Sequence, residues 1–204
     1  MQVDKSSYKF QKYSYPERWG SYFYQIKEVL AFSPKSILEI GVGDGVLGAY
    51  IKNNTDISYK SLDVAEDLNP DATGSVVSIP FEDKSFDVVV AYEVLEHIPF
   101  GGFEKALMEL GRVSRGGVVI SLPHFGPPVK FSLKIPFVPE IKISFKIPFP
   151  KRHVFNGQHY WEIGTRGYGV YKIRKTLGKY FYILEDYVPW ENQYHHFFIL
   201  RKKT

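Results

Sequence analysis

The chain contains no cysteine, which excludes disulfides and thiolate metal centres and leaves its redox compartment unmarked. It has no run of about 18 apolar residues, so no segment is expected to span a bilayer. The start, Met1-Gln2-Val3-Asp4-Lys5, lacks a signal-like apolar region, and the cytoplasm is the expected location. Excess charge is also modest, at +4 over 204 residues. Its placement is uneven, with lysine and arginine concentrated after Gly126 and acid between Asp63 and Glu109. A basic half suits nucleic acid, anionic lipid or an acidic sugar, or is simply a solvated face. The 44 % hydrophobic content is enough for a sizeable core in one α/β domain spanning residues 1–204.

What is present is concentrated in Ile37-Leu38-Glu39-Ile40-Gly41-Val42-Gly43-Asp44-Gly45-Val46-Leu47. It reads as a buried strand, three alternating glycines and a helix start. Glycine takes positive φ freely and lets a ligand approach the backbone, and a helix start offers unpaired N–H groups. A turn of this kind at the end of a first parallel strand is where doubly wound folds bind nucleoside cofactors. The dinucleotide fingerprint needs glycine where Val46 stands. Glu39, two residues before the first glycine, suits a cofactor with a cationic amino-acid end better than a pyrophosphate. A second strand, Ser58–Asp63, closes on an acid placed to grip ribose hydroxyls.

The block Ser78-Ile79-Pro80-Phe81-Glu82-Asp83-Lys84-Ser85-Phe86-Asp87, followed by Val88-Val89-Val90-Ala91-Tyr92-Glu93-Val94-Leu95-Glu96-His97, resembles the class I S-adenosylmethionine-dependent methyltransferases. The resemblance runs from about Ser36 to Leu122. It implies a Rossmann-like α/β sheet, mostly parallel with a reversed last strand, and methyl transfer from S-adenosylmethionine. It places Glu39 and Gly41 at the methionine end of the cofactor, with Gly43 and Gly45 completing the loop. Asp63 would hold the ribose, Val64 would lie on the adenine, and Ser75, Val76 and Ile79 would stand near its edge. Ala91, Tyr92 and Glu93 would open the active-site loop. Two departures stand out: the interval from Asp63 to Gly74 is too short for a full helix and strand, and Ser75 replaces an acid common in relatives.

Along the chain, an aromatic amino-terminal segment (residues 1–33) leads into a helix from Pro16 to Ala31. Its apolar or aromatic residues Trp19, Phe23, Ile26 and Leu30 recur at helical spacing, the pattern of an apolar stripe. Further helices are expected over Gly45–Asn54, Phe103–Val113 and Tyr168–Leu177, with a turn at Gly116-Gly117 before a strand at Val118–Leu122. The last two strands fall at Tyr180–Tyr187 and His196–Leu200. Residues 123–167 read as a Pro/Lys/Phe-rich, lid-like insertion after strand five. Within it, Lys130–Phe137 and Lys142–Phe149 are near-copies alternating apolar and polar residues, a pattern for an extended hairpin. The same alternation makes residues 129–150 a candidate contact with an anionic membrane, peripheral to the cytoplasm.

An oxygen or nitrogen acceptor must lose a proton, which requires a general base or a metal. Glu93, Glu96, His97, His124 and His159 are the candidates, with His97, His124 and Glu93 as the catalytic set. Glu93 and Glu96 would share one helical face, with His97 four residues beyond Glu93. The Glu-x-x-Glu-His string with a later His159 resembles that of small-RNA 2′-O-methyltransferases and, in part, quinone-biosynthesis O-methyltransferases. That resemblance implies Mg²⁺ or Mn²⁺ held by Glu93, Glu96, His97 and His159. The expected activity is O-methylation of a small-molecule or lipid-linked glycan acceptor. Methylation of RNA, or cofactor binding without catalysis by a scaffold protein, are the alternatives.

Overall fold

Apolar runs of strand length, each followed by a turn signal, build the central sheet. The structure is a computed structural model that describes residues 5–203; the polar start through Asp4, and Thr204, lie outside the described residues. Five strands follow the expected order: β1 (Ser36–Ile40), β2 (Ser58–Asp63), β3 (Ala72–Thr73), β4 (Phe86–Tyr92) and β5 (Ser114–Pro123). After the ribbon strands β6 (Pro128–Leu133) and β7 (Ile141–Lys146) come β8 (Phe181–Tyr187) and β9 (His195–Lys202). The main sheet runs β3-β2-β1-β4-β5-β9-β8, while β6 and β7 pair only with each other. In the main sheet β9 is antiparallel to both neighbours and the other pairs are parallel, and β6 and β7 pair antiparallel. Strand order reverses between β1 and β4, which opens a crevice at their carboxyl ends.

The central strands β1, β4, β5 and β9 are buried on both faces and are apolar with little alternation, while β8 forms a partly exposed edge. Leu38, Val89, Val118 and Ile120 face the helices α4 (Phe103–Val113) and α5 (Val170–Tyr180). Ile37, Val88, Val90 and Val119 face α2 (Pro16–Ala31) and α3 (Val46–Asn54). Burial of each such side chain is worth about 1.5–3 kcal/mol. Between β2 and β3 the chain makes only a single 3-10 turn, Glu66–Leu68, as the short interval requires. A further short helix, α1 (Phe10–Tyr13), precedes α2.

Two expectations are corrected. The buried face of α2 carries Ser21, Tyr22, Gln25, Glu28 and Val29, whereas Trp19 and Phe23 are 51 % and 63 % exposed. Ser21 and Glu28 occupy that face because each side chain finds a partner, and Gln25 is met at its main-chain carbonyl. Asn192 donates to Ser21 Oγ, the Tyr187 hydroxyl donates to Glu28, and the Tyr92 hydroxyl donates to the Gln25 carbonyl. Buried polar groups that are hydrogen-bonded escape the desolvation penalty, so an apolar stripe misidentifies the face. The second correction concerns Gly116 and Gly117, which lie within β5, not in a turn before it. A Cβ on Gly117 would stand 2.8 Å from Val88 Cγ2 and 2.9 Å from Phe32, so close packing explains that glycine. The last helix also starts later than expected, at Val170, and extends to Tyr180.

Candidate active site

The glycine loop forms because β1 ends where the backbone must turn sharply three times. Gly41, Gly43 and Gly45 have φ of +81°, +57° and +76°, the region L side chains avoid. At Gly41 a Cβ would also lie 2.4 Å from Val94 Cγ2, whereas at Gly45 nothing lies within 4 Å. Asp63 braces the loop: its carboxylate accepts the Val42 N–H at 2.7 Å and the Ala65 N–H at 2.9 Å. Glu39 is buried beneath the loop and accepts the Tyr59 hydroxyl. Burial, with Asp44 and Asp63 nearby, pushes its carboxyl up to about 8.

Two small cavities of about 110 and 90 Å³ meet at Gly41, Asp63, Val64, Val94 and His97. Gly43 and Glu93 border the first, and Ser75 and Val76 border the second. Gly41, Gly43, Asp63, Val64, Ser75, Val76 and Glu93 are therefore gathered along one cleft, whereas Glu39 and Gly45 do not line it. Ile79 is 4 % exposed and donates its N–H to Glu109 at 2.8 Å, so it supports the cleft wall from behind. Ala91 is fully buried in the sheet, and the Tyr92 hydroxyl points into the core at Gln25. Tyr8 and Tyr13, whose aromatic segment carried no site signal in the sequence, line the open side.

A third, larger cavity of about 420 Å³ adjoins the first at Glu93 and His97. Its walls include Lys12, Arg18, Glu96, His159 and Tyr194. Glu93 sits at φ +54°, and Leu95–His97 form one 3-10 turn, so the pair Glu93 and Glu96 does not ride on an α-helix. Glu96 instead joins His97 and His159, with ligand atoms all within 4.8 Å of one another. Both imidazole Nε2 atoms lie 3.9 Å from Glu96 Oε1, too far for hydrogen bonds. His97 Nδ1 is 3.1 Å from the Gln158 carbonyl, to which it can only donate, and His159 Nδ1 is 2.8 Å from the Glu162 carboxylate. Those bonds leave each Nε2 with a free lone pair turned toward Glu96. The Tyr194 hydroxyl donates to the same Glu162 oxygen at 2.9 Å.

Neither oxygen of Glu96 has a hydrogen-bond partner, although the residue is completely buried. Burial, then the Glu93 charge, raises its carboxyl well above the usual range. Glu93 is raised to about 8, again chiefly by burial, and lies 3.7 Å from His195 Nε2. His97 is held down to about 4 by burial and by His159. His124 is not brought to this cluster. Its Nδ1 meets that of His196 at 3.1 Å, and it borders a separate cavity of about 690 Å³ with Lys146, Arg166 and Arg174. Gln158, Glu162, Tyr194 and His195 carried no sequence signal that would have joined them to the cluster.

The methyltransferase domain family matches residues 38–122, the stretch that contains the glycine loop, Asp63 and the Glu-x-x-Glu-His string. Solved structures share the fold. An S-adenosylmethionine-dependent methyltransferase from Clostridium acetobutylicum superposes with a TM-score of 0.63 at 12 % identity, over 97 % of this chain and 96 % of that one. The N-methyltransferase NodS from Bradyrhizobium japonicum, in complex with S-adenosylhomocysteine, gives 0.61 at 11 % over 93 % and 89 %. The 1,6-didemethyltoxoflavin-N1-methyltransferase from Burkholderia thailandensis gives 0.60 at 15 % over 98 % and 85 %. A mostly parallel seven-stranded sheet with one reversed strand is the class I methyltransferase fold. The chain thus has the class I methyltransferase fold, and the match to the methyltransferase domain family lies across its glycine loop and cleft.

Proposed function

We propose that the protein is an S-adenosylmethionine-dependent methyltransferase that acts on a hydroxyl oxygen of a small-molecule or lipid-linked glycan acceptor, with Mg²⁺ or Mn²⁺ held at Glu96, His97 and His159. The observation that supports this reading is the orphaned carboxylate of Glu96 faced by two imidazoles whose other nitrogens are already committed. Mixed carboxylate and imidazole donors with fixed outer partners suit a divalent ion. The cradle in turn fits the methyl donor. Buried Glu39 is held by the Tyr59 hydroxyl, a cationic amino-acid end settling beside it would favour its ionised form, and Asp63 keeps lone pairs for a ribose.

When bound, the sulfonium supplies an activated methyl group and the divalent ion a Lewis acid that eases loss of the hydroxyl proton. The chain supplies placement. His97 borders both cavities, which supports an acceptor oxygen held beside the donor. Such orientation contributes up to about 7–11 kcal/mol of the barrier reduction. Glu93 Oε1, buried and unpartnered, receives the hydroxyl proton. Tyr8 and Tyr13 shield the junction from water. A terminal ribose hydroxyl of RNA is the second reading, favoured by Lys12 and Arg18 in the acceptor wall.

The test incubates the protein and labelled cofactor with lipid, glycan and RNA fractions, with and without chelator. Chelation and His159→Ala should each lower transfer by about 10–100-fold, and metal analysis should show bound metal lost in the variant. Transfer that survives chelation, with full turnover by Glu96→Gln, would refute the metal. The labelled fraction identifies the acceptor class.

A further inference from the structure

The ribbon β6–β7 is turned inside out. Its register pairs Val129 with Phe145, Phe131 with Ile143, and Leu133 with Ile141. Residues directly opposite across a ladder point the same way, so these six share one face. A hairpin packed on a core would turn that face inward. Here the other face turns inward: Lys130 and Lys142 stand 4.0 and 4.8 Å from the Trp190 ring centroid. Gln193 donates to Ser144 Oγ at 3.2 Å, and Lys142 pairs with Glu191 at 3.1 Å. The six apolar side chains remain 38–57 % exposed. At the far end Phe137 holds φ +66° and is fully exposed. An apolar face this continuous on a protein surface marks an interaction site.

We propose that this outward face docks on an anionic lipid surface. Charge decides the occupant. From Val129 to Arg152 the chain carries Lys130, Lys134, Lys142, Lys146, Lys151 and Arg152 against Glu140 alone. Lys130, Lys142 and Lys146 turn toward the protein body. That leaves Lys134, Lys151 and Arg152 around the outward face, and a second copy packed face to face would offer them no opposite charge. An anionic membrane is complementary to them, and apolar side chains on such a segment enter the boundary between headgroups and acyl chains. Lys134 near the tip and Lys151 and Arg152 beyond β7 are exposed, placed to meet headgroup phosphates while Phe137 leads into the acyl region. The inference stands apart from the active-site reading, and its test needs no methyl transfer.

The full chain is floated with phosphatidylcholine vesicles and with vesicles that also contain phosphatidylglycerol, at low and high salt. Flotation should require the anionic lipid, weaken with salt, and fall about tenfold or more in Phe131→Ser/Phe137→Ser. Cofactor titration and thermal melting of the variant separate loss of docking from loss of fold. Should the double variant unfold, Phe137→Ser at the exposed tip replaces it. Flotation that ignores lipid charge or survives the substitutions overturns the proposal. So does an absence of flotation together with a dimer, seen by light scattering, that the same substitutions dissociate.

Discussion

Replacing Glu39 by glutamine should stabilise the protein at alkaline pH while weakening its hold on the cofactor. Glu39 is 5 % exposed, and burial, reinforced by Asp44 and Asp63, raises its carboxyl from 4.5 to about 8. Below the lower value both folded and unfolded chains are protonated, and the residue costs nothing. Between the two values the unfolded chain has released its proton and the folded chain has not, so stability falls as pH rises. Above about 8 the whole penalty is present, which corresponds to about 3–5 kcal/mol. Glutamine keeps the shape, still accepts the Tyr59 hydroxyl, and cannot ionise. Glu93 and Glu96 are also raised, but they titrate in both proteins and cancel in the comparison. Urea unfolding at pH about 5 and about 8.5 should therefore show wild type losing several kcal/mol more than Glu39→Gln. If a cationic amino-acid end settles against Glu39, binding near neutral pH must also expel its proton. Calorimetry in buffers of different ionisation enthalpy should detect that release in wild type and not in the variant. Equal pH slopes for the two proteins, or proton release that persists in the variant, would refute the reasoning.

Two further substitutions test the cradle. Asp63→Ala removes the acceptor of the Val42 and Ala65 N–H groups and should cost about 1.5–3 kcal/mol of stability by chemical denaturation; calorimetry should show cofactor affinity falling as well. Gly41→Ala drives a Cβ against Val94 and should abolish cofactor binding, whereas Gly45→Ala, with open space around it, should cost only about 1–2 kcal/mol for its positive φ; comparable binding by the two variants would contradict the cradle geometry.

The features legible in the sequence are those governed by local rules. Positive φ is a property of single residues, so the alternating glycines announced the turn at the end of β1. Unbroken apolar runs and short connections announced a sheet buried on both faces, and the acid ending β2 announced a cleft beside it. Strict alternation before Pro136 and Pro148 announced the ribbon. What the sequence could not specify was which face each element turns inward and which distant groups meet. The polar face of α2 is buried because its partners Asn192, Tyr187 and Tyr92 arrive from the far end of the chain and from β4. The ribbon shows its apolar face to solvent because Trp190, Glu191 and Gln193 engage its polar one. Glu93 is separated from Glu96 by a left-handed backbone and a tight 3-10 turn, which a helical spacing argument cannot anticipate. His159 reaches Glu96 only through the return of the insertion across the sheet, and Gln158 and Glu162 fix the two imidazoles once it has. Periodicity reports how a segment can be amphipathic, but burial is decided by where complementary groups arrive, and that is a property of the closed tertiary structure.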